Sequence, residues 1–223
     1  MLPAMRVLAI PVKSLEHAKS RLASILSPAE RAALSLVMLE DVLDACLAQK
    51  GWDVWVVSRD EAALEIGVRR SARPLLEKGA SLLEAIRQTE AEVTKRGARL
   101  AVVLADLPLI SEDALSAALA LGDRSKVVAA PAGSDGGTNL LLRRPPSVIP
   151  ARFGSSSFAK HRWAARRARV PFEEIRRPEL AFDLDRPEDL ARVLAEGGTR
   201  RTRSACLEMG LPERLRVRGA SSQ

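Results

Sequence analysis

The sequence predicts an α/β fold in which a mostly parallel, mixed sheet is flanked by helices. Short apolar runs alternate with segments of helical periodicity along the chain, and such an alternation forms right-handed crossovers between parallel strands. The length of 223 residues fits one domain of this kind. A composition of 47% hydrophobic and 28% charged residues, with 13 Gly and 13 Pro, excludes a disordered chain and a collagen-like repeat.

The first half of the chain alternates regularly between strand and helix patterns. A buried strand is predicted at 7–12. The segment Ser27-Pro28-Ala29-Glu30 is typical of a capped helix start, with Pro at the first helical position and Glu reaching back. The elements predicted next are the rest of this helix to about Gln49, a strand at 54–58, a helix at 60–67, a weak strand at 74–76 and a helix from Ser81 to about Arg96.

The second half contains the strongest strand of the chain. The apolar run 99–105 predicts a central strand that ends abruptly at Asp106. The remaining predicted elements are a capped helix from Ser111 to Leu121, a buried strand at 126–131, a helix that opens at 153–158 and runs toward Arg169, a strand at 183–185 and a helix at 189–194.

Charge is distributed unevenly along the chain. There are 35 basic and 28 acidic side chains, a formal net charge of +7. Residues 152–223 hold 16 of the basic and 10 of the acidic ones, a net of +6 that leaves +1 for residues 1–151. A basic segment indicates a nucleic acid, a polyanionic small ligand or an Arg-rich solvated surface. We expect residues 1–196 to form the domain and residues 197–223 to be a basic C-terminal tail with one short helix.

Residue usage argues against several classes of protein. An aromatic content of 3% with no Tyr argues against an RNA-stacking surface. Cys46 and Cys206 have no neighbouring Cys or paired His, which argues against a zinc site or a disulfide framework. The N-terminal apolar run, Val7 to Val12, has only six residues and is too short for a signal or membrane segment. We therefore expect a reduced, cytoplasmic setting.

The loops that follow strands carry the candidate site, because ligands of parallel sheets bind beyond the carboxyl ends of the strands. After the first strand, Lys13, Lys19 and Arg21 place three cations within nine residues. These cations suit a triphosphate, with a solvated loop as the alternative. Asp106 follows the strongest strand, where a carboxylate is costly to desolvate without a cation. It is a candidate Mg²⁺ ligand, with a turn-forming Asp as the alternative.

A second pair of carboxylates follows near the end of the domain. Asp183 and Asp185 alternate on a predicted strand, so both project to one side and repel each other unless a cation bridges them. Mg²⁺, which prefers oxygen ligands, is the candidate cation. Asp185 equally suits the N-cap of the helix that follows Pro187.

Two Gly- and Ser-rich segments are candidates for binding an anion. Residues 134–139 form a Gly-rich turn whose backbone amides can approach an anion. Residues 153–158 open a helix, and free N-terminal amides with Ser hydroxyls bind phosphate or carboxylate. A hairpin turn and a Ser cap are the simpler alternatives. His17 and His161 have no triad partner and are expected to be surface or structural residues.

These segments, in this order, resemble the family of 2-phospho-L-lactate and phosphoenolpyruvate guanylyltransferases of coenzyme F-420 (deazaflavin) biosynthesis. The resemblance covers roughly residues 6 to 195 and implies a single-domain, Rossmann-like nucleotidyltransferase fold related to the sugar-nucleotide transferases. The motifs that carry it are Pro11-Val12-Lys13, Ala18-Lys19-Ser20-Arg21-Leu22, Ala105-Asp106-Leu107-Pro108-Leu109, Gly136-Gly137-Thr138-Asn139, Phe153-Gly154-x-x-Ser157-Phe158-x-x-His161 and Asp183-x-Asp185-x-Pro187-Glu188-Asp189-Leu190.

The resemblance implies transfer of GMP from GTP to the phosphate of a three-carbon phospho-acid, with release of pyrophosphate. Mg²⁺ is the implied cofactor and GTP the co-substrate. The implied metal ligands are Asp106, Asp183 and Asp185. The implied catalytic groups are Asp106 together with Lys13, Lys19 and Arg21, which would face the GTP phosphates. The implied contacts to the acid substrate are Thr138, Gly154 and Ser157, with Gly137 and Asn139 in the same Gly-rich turn.

Three positions depart from the family pattern. Leu82-Leu83 stands where Leu-Asn is usual, Arg186 stands where Thr is usual, and Ser155-Ser156 replace Pro-Gly. Because the missing amide concerns the guanosine contact, a cytidylyl- or molybdopterin-type nucleotidyltransferase of the same fold stays open. A non-enzymatic nucleic-acid-binding protein is the other alternative.

The candidate acids are phosphoenolpyruvate, 2-phospho-L-lactate and 3-phospho-D-glycerate. We expect small-molecule partners with neither a nucleic acid nor a membrane. The sequence leaves the oligomeric state open, a homodimer included.

Overall fold

A seven-stranded mixed sheet lies at the centre of the fold. The structure is a computed structural model that describes residues 5–79, 81–94 and 99–220. Its strands are β1 (Arg6–Pro11), β2 (Asp53–Ser58), β3 (Arg73–Leu76), β4 (Arg99–Val103), β5 (Val127–Pro131), β6 (Thr138–Arg143) and β7 (Phe172–Glu174). The strand order is β3-β2-β1-β4-β6-β5-β7. β6 is antiparallel to β4 and β5, and the other neighbouring pairs are parallel.

Helices cover both faces of the sheet. They are α1 (Pro28–Leu47), α2 (Glu61–Arg69), α3 (Leu82–Thr94), α4 (Glu112–Arg124), α5 (Ser157–Arg167), α6 (Pro178–Ala181), α7 (Pro187–Glu196), α8 (Arg201–Glu208) and α9 (Leu211–Ala220). One core lies between the sheet and α1, α2 and α4, and a second lies between the sheet and α3 and α5. Within the described residues, no helix is long and apolar enough to span a membrane.

The apolar strand runs are explained by burial on both faces. In β1, Leu8 and Ile10 belong to the first core, whereas Val7 and Ala9 belong to the second. Successive side chains of a strand point to opposite faces, so a strand covered on both sides is apolar along most of its length. This arrangement confirms the predicted sheet with helices on both sides.

The start of α1 confirms the predicted capping box. Ser27 Oγ accepts a hydrogen bond from the Glu30 amide at 3.3 Å, and the Glu30 side chain accepts one from the Ser27 amide at 2.8 Å. These two bonds satisfy amide groups that have no partner inside the helix. The predicted end of another helix, at Arg96, lies outside the described residues.

β6 and the three-residue β7 are strands that the sequence pattern does not predict, and β6 is the longer of the two. Residues 138–143 are buried along the whole strand. The three leucines in its centre are flanked by polar residues at both ends, so the segment lacks the apolar run that predicts a buried strand. One of these polar residues, Arg143, is fully buried. Its guanidinium forms an ion pair with Glu90, and its Nη1 donates to the Ile149 carbonyl at 3.1 Å. A buried charge is tolerated only with such partners.

The predicted strand at 183–185 is wrong. The segment belongs to no strand of the sheet. One backbone hydrogen bond, from the Leu184 amide to the Asp106 carbonyl at 3.1 Å, attaches it to the chain just after β4. Both flanking carboxylates are thereby brought beside Asp106, as the predicted metal site requires.

The C-terminal segment is folded onto the domain rather than extended as a tail. α8 begins where the Asp41 carboxylate of α1 accepts hydrogen bonds from the amides of Arg201 and Thr202 and from the Thr202 hydroxyl, at 2.6 to 3.1 Å. A carboxylate at a helix N-terminus satisfies free amides and interacts favourably with the helix dipole. Cys206 and Leu211 are fully buried in a third core. Residues 221–223 of the predicted tail lie outside the described residues.

Part of the C-terminal arginine excess has a structural role. Arg200 donates to the carbonyls of Leu109 and Ile110 at 3.0 and 3.1 Å. Arg203 donates to the Leu194 carbonyl at 2.8 Å. These side chains attach the last helices to the domain, which accounts for some of the charge that composition alone leaves unassigned.

Candidate active site

An open cavity of about 830 Å³ lies at the carboxyl ends of the parallel strands, where ligands of such sheets bind. Loops that follow β1, β2, β3 and β4 contribute to its wall, together with the turn between β5 and β6. All the predicted site residues line it except Ser157. They are Lys13, Lys19, Arg21, Asp106, Gly137, Thr138, Asn139, Gly154, Asp183 and Asp185.

Lys19 lies between two of the predicted metal ligands. Its Nζ donates to Asp106 Oδ2 at 2.8 Å and to Asp185 Oδ1 at 2.9 Å, and its side chain is only 9% exposed. Burial alone would lower the pKa of Lys19, but the two carboxylates outweigh burial and raise it. Arg21, with 63% of its side chain exposed, adds a more weakly held cation 3.1 Å from Asp185 Oδ2.

The loop after β1 is shaped to direct Lys19 into the cavity. Lys19 has a left-handed backbone conformation, with φ at +49°, between two 3-10 turns at Leu15–His17 and Ser20–Leu22. This conformation costs about 1 kcal/mol or more for a residue with a Cβ. Burial of Leu22 in the third core holds the loop against the domain. Local strain at an ion-paired lysine is typical of a functional site.

Asp183 brings a third carboxylate to the same place. Burial raises the pKa of Asp183, and the charges of Asp106 and Asp185 raise it further. The Ser134 hydroxyl donates to its carboxylate at 3.2 Å. Burial also acts to raise the pKa of Asp185, but Lys19 and Arg21 outweigh it and lower that pKa. Neighbouring carboxyl groups whose pKa values shift in opposite directions are a feature of binding and catalytic sites.

The donor chemistry of this acidic cluster (Asp106, Asp183 and Asp185) suits a divalent cation. Carboxylate oxygens are the ligands that Mg²⁺ prefers, and Asp106 Oδ1 is buried without a hydrogen-bond partner in the described part of the chain. Among the residues that the structure describes, no three acidic, His or Cys side chains are already arranged to hold a metal. Lys19 Nζ instead lies between Asp106 and Asp185. The residues therefore fit a cation that binds once Lys19 moves aside.

Asp185 is not the N-cap of α7. The N-cap is Arg186, and Asp189 in the first turn of the helix accepts hydrogen bonds at Oδ2 from the amides of Asp185 and Arg186 at 2.9 and 2.7 Å. The Asp185 carboxylate instead contacts Lys19 and Arg21. The capping alternative for Asp185 is therefore contradicted, and the residue belongs to the acidic cluster.

The Gly-rich turn packs directly against the start of α5. Gly136 and Gly154 have φ values of +68° and +113°, which favour glycine. The amides of Ser156, Ser157 and Phe158 donate to backbone carbonyls of this turn and of Gly154. The expectation of free amides at this helix N-terminus is therefore wrong for these three groups, because the turn itself occupies them.

Thr138 is the centre of a buried polar cluster at the edge of the cavity. Ser157 Oγ donates to Thr138 Oγ1 at 2.9 Å, and His161 Nδ1 lies 3.1 Å from the same oxygen. Ser157 and His161 are fully buried, whereas Thr138 retains 2% exposure and lines the cavity. The neighbouring Asn139 donates its amide to the Leu180 carbonyl at 3.0 Å, so it anchors the segment that leads to the acidic cluster.

Comparison with known proteins agrees with this geometry. The family model described as "Guanylyl transferase CofC like" matches residues 5–215. The chain belongs to this family. The match includes most of the C-terminal segment that the sequence motifs leave out.

Three curated relatives differ in the acid that their names specify. A phosphoenolpyruvate guanylyltransferase of Sphaerobacter thermophilus is 43% identical over 186 residues, 82% of this chain and 90% of the relative. A 3-phospho-D-glycerate guanylyltransferase of Phenylobacterium zucineum is 39% identical over 192 residues, 83% and 88% of the two chains. A 2-phospho-L-lactate guanylyltransferase of Methanocaldococcus sp. is 32% identical over 208 residues, 93% and 88% of the two chains.

Solved structures identify the fold. A candidate nucleotide-diphospho-sugar transferase from Desulfovibrio desulfuricans has a TM-score of 0.77 at 19% identity, covering 96% of this chain and 97% of the other. A 4-diphosphocytidyl-2C-methyl-D-erythritol synthase has a TM-score of 0.61 at 15% identity, covering 87% and 99%. The predicted nucleotidyltransferase fold is confirmed, and this family member is a nucleotidyltransferase.

Two charged residues in the cavity of this guanylyltransferase-family protein were not singled out by the sequence analysis. Arg59 follows β2 and Glu77 follows β3, and both line the cavity beside Leu83. Burial raises the pKa of Glu77, and its amide donates to the Ser58 carbonyl at 2.8 Å. Their positions directly after strands are the signal that could have found them.

Proposed function

We propose that this protein joins GMP from GTP to the phosphate of a three-carbon phospho-acid and releases pyrophosphate, as a step of coenzyme F-420 biosynthesis. The observation that carries the proposal is the position of Lys19 and the acidic cluster in one cavity with the Thr138 hydroxyl. One part of this cavity suits a metal-bound triphosphate, and the other suits an anion. The names of the relatives support phosphoenolpyruvate, 2-phospho-L-lactate and 3-phospho-D-glycerate as the candidate acids.

The reaction needs alignment and charge neutralisation rather than a general base. A phosphate oxygen of the acid is already anionic near neutral pH and attacks the α-phosphorus of GTP itself. A new P–O–P bond forms while the bond from the α-phosphorus to pyrophosphate breaks. In our proposal, Lys13, Lys19 and Arg21 neutralise the triphosphate and the departing pyrophosphate. A site with carboxylates, lysine and arginine is sufficient for this chemistry.

The acidic cluster is proposed to hold Mg²⁺. Asp106, Asp183 and Asp185 would be its protein ligands, and the ion would supply charge neutralisation at the nucleotide phosphates when bound. Binding of the ion would separate Lys19 from Asp106 and Asp185. The released ammonium would then be available to the triphosphate in the same cavity.

The acid is proposed to bind at the Gly-rich turn. The Thr138 hydroxyl and Gly154 line the cavity and would offer donors to a carboxylate or phosphate. The Gly137 amide already donates to Asp135 Oδ1 at 2.7 Å, so Gly137 would contribute through the shape of the turn. Ser157 would contribute through its hydrogen bond to Thr138, and Asn139 through the segment that it anchors.

The experiment that tests the proposal combines each of the four nucleoside triphosphates with each of the three acids in the presence of Mg²⁺. Pyrophosphate release and the mass of the product are measured. We expect signal with GTP, and the preferred acid then identifies the substrate. The absence of pyrophosphate release with GTP and all three acids would refute the proposal, whereas a preference for CTP would support the cytidylyltransferase alternative.

Two variants test the metal assignment. We expect Asp106→Asn and Asp183→Asn each to lower turnover at least about a hundredfold, comparable to the loss of one preorganised electrostatic contact. Glu65→Gln is the matched control, because Glu65 is an exposed carboxylate on α2 that does not line the cavity. Near-normal rates for both Asp variants would show that the metal ligands are assigned wrongly.

A further inference from the structure

The proton on the His161 ring is located by its neighbours. His161 Nε2 lies 2.9 Å from the backbone amide of Arg152. Because an amide nitrogen can only donate, Nε2 must accept, and the proton of a neutral ring is then on Nδ1. Nδ1 lies 3.1 Å from Thr138 Oγ1, so His161 donates to the threonine hydroxyl.

The surroundings of His161 favour the neutral ring near neutral pH. Burial lowers the pKa of His161, and the charges of Arg143, Arg152 and Lys160 lower it further, to about 3. A charged ring would carry a proton on Nε2, directed at the Arg152 amide. Burial therefore favours the neutral ring, and the Arg152 amide selects its Nδ1–H tautomer.

Two donors thus meet at one hydroxyl oxygen, because the buried Ser157 Oγ has no other hydrogen-bond partner among the described residues and its hydrogen therefore goes to Thr138. Ser157 and His161 are four residues apart on α5, so their side chains lie on one face of the helix. Both reach Thr138, the first residue of β6, at 2.9 and 3.1 Å. A threonine hydroxyl has two acceptor positions and one hydrogen. With both acceptor positions occupied, its own hydrogen has to go to a third group.

We propose that His161 is a positioning residue that, with Ser157, turns the Thr138 hydroxyl into an obligatory donor aimed at an anionic oxygen of the acid substrate. This inference rests on the proposed function, because it assumes that an acid binds at the Gly-rich turn. A freely rotating hydroxyl either donates or accepts, whereas this one can only donate. Carboxylate and phosphate oxygens only accept, so the arrangement favours an anion. A donor fixed in advance also needs no reorientation when the substrate binds.

Two amide substitutions separate the two nitrogens of His161. In His161→Asn, the amide nitrogen is as far along the side chain as Nδ1, so a donor to Thr138 is kept. In His161→Gln, the amide oxygen is as far along as Nε2, so an acceptor for the Arg152 amide is kept and the donor to Thr138 is lost. We expect His161→Gln to raise KM for the acid about tenfold and to leave KM for GTP within about twofold. His161→Asn is expected to stay within about threefold of the wild type for both substrates.

A double-mutant cycle tests whether His161 acts through the hydroxyl. Thr138→Val removes the hydroxyl and keeps the shape of the side chain. If the inference is correct, His161→Gln raises KM for the acid in the wild type but not in the Thr138→Val background. Equal effects of His161→Gln in both backgrounds, or equal changes in KM for GTP and for the acid, would overturn it. Melting curves of all variants identify a loss that reflects folding alone.

The tautomer of His161 can be determined by NMR without an activity assay. The chain has only two histidines, His17 and His161, so a ¹⁵N NMR spectrum of His161→Asn assigns the signals. We expect His161 to be the Nδ1–H tautomer and to show no titration between about pH 5 and 9. A ring that titrates in this range overturns the inference, even if the guanylyltransferase reaction is observed. Conversely, inactivity with all three acids refutes the proposed function and leaves the tautomer to be judged by NMR.

Discussion

Replacement of Lys19 by Met removes the ammonium group and keeps most of the apolar stem. The change deletes two charge-assisted hydrogen bonds of 2.8 and 2.9 Å and leaves the acidic cluster without its central cation. Loss of one partner of a fully buried ion pair costs about 3–5 kcal/mol. The Asp106 and Asp185 side chains are 29% and 35% exposed, so water replaces part of the loss. We therefore expect the free energy of unfolding to fall by about 2 kcal/mol at neutral pH without metal.

The same variant is expected to respond more strongly to Mg²⁺. In the wild type, an ion has to displace Lys19 Nζ from Asp106 and Asp185, whereas in Lys19→Met it does not. A ligand at a hundred times its Kd stabilises a protein by about 2.7 kcal/mol, so saturating Mg²⁺ should restore most of the loss in the variant. The wild type, in which binding also breaks the lysine contacts, should gain less.

Thermal unfolding with and without Mg²⁺, at matched ionic strength, measures both effects. A change of 2 kcal/mol corresponds to about 4–8 °C in Tm for a domain of this size. Arg21→Met is the matched control, because Arg21 contacts the same Asp185 from a largely exposed position, and we expect it to change Tm by less than about 2 °C. Equal melting of Lys19→Met and wild type, with equal Mg²⁺ shifts, would refute the reasoning.

Three further predictions concern stability. Because the pKa of Asp183 is raised, its ionisation opposes folding as pH rises through that pKa. Asp183→Asn should therefore stabilise the metal-free protein at neutral pH by about 0.5–2 kcal/mol, although it lowers turnover at least about a hundredfold. A lower denaturant midpoint than that of the wild type would contradict this. Asp41→Ala should cost about 2–4 kcal/mol in urea unfolding because it leaves the N-terminus of α8 uncapped and buried; an unchanged midpoint would disprove the docking role. Hydrogen bonds from Arg214 and from the Ser27 amide and hydroxyl lower the pKa of Glu30 from 4.5 to about 2. The wild type should therefore be more stable than Glu30→Gln by its full margin above about pH 5, and this margin should vanish toward pH 2. Thermal melting of both proteins as a function of pH measures the margin.

Much of the fold could be predicted because its signals are local. The capping box of α1 is readable in four residues, and apolar runs such as 99–105 are typical of strands buried on both faces. β6 escaped prediction because its polar ends are satisfied by distant groups: the charge of Arg143 is paired with Glu90 on α3. Local pattern cannot reveal that a buried charge has a partner.

The C-terminal segment is a second case in which the local sequence does not reveal a distant partner. An Arg-rich stretch is typical of a solvated tail, and nothing near Thr202 in the sequence indicates a cap. The cap is Asp41, 161 residues away. The start of α8 therefore depends on a contact with α1 that forms only when the chain folds.

By itself, the sequence determined the sheet with its flanking helices, the loops that carry the site and the family to which the chain belongs. These follow from residue type and short-range spacing, because the period of a strand, the cap of a helix and the end of a parallel strand are local properties. Only the tertiary structure decided what each side chain does. It placed Lys19 against Asp185 across 166 residues, made Arg186 rather than Asp185 the N-cap of α7, and buried His161 within hydrogen-bond distance of Thr138. Hydrogen-bond direction and ionisation depend on the atoms within a few ångströms, and folding selects those atoms from distant parts of the chain.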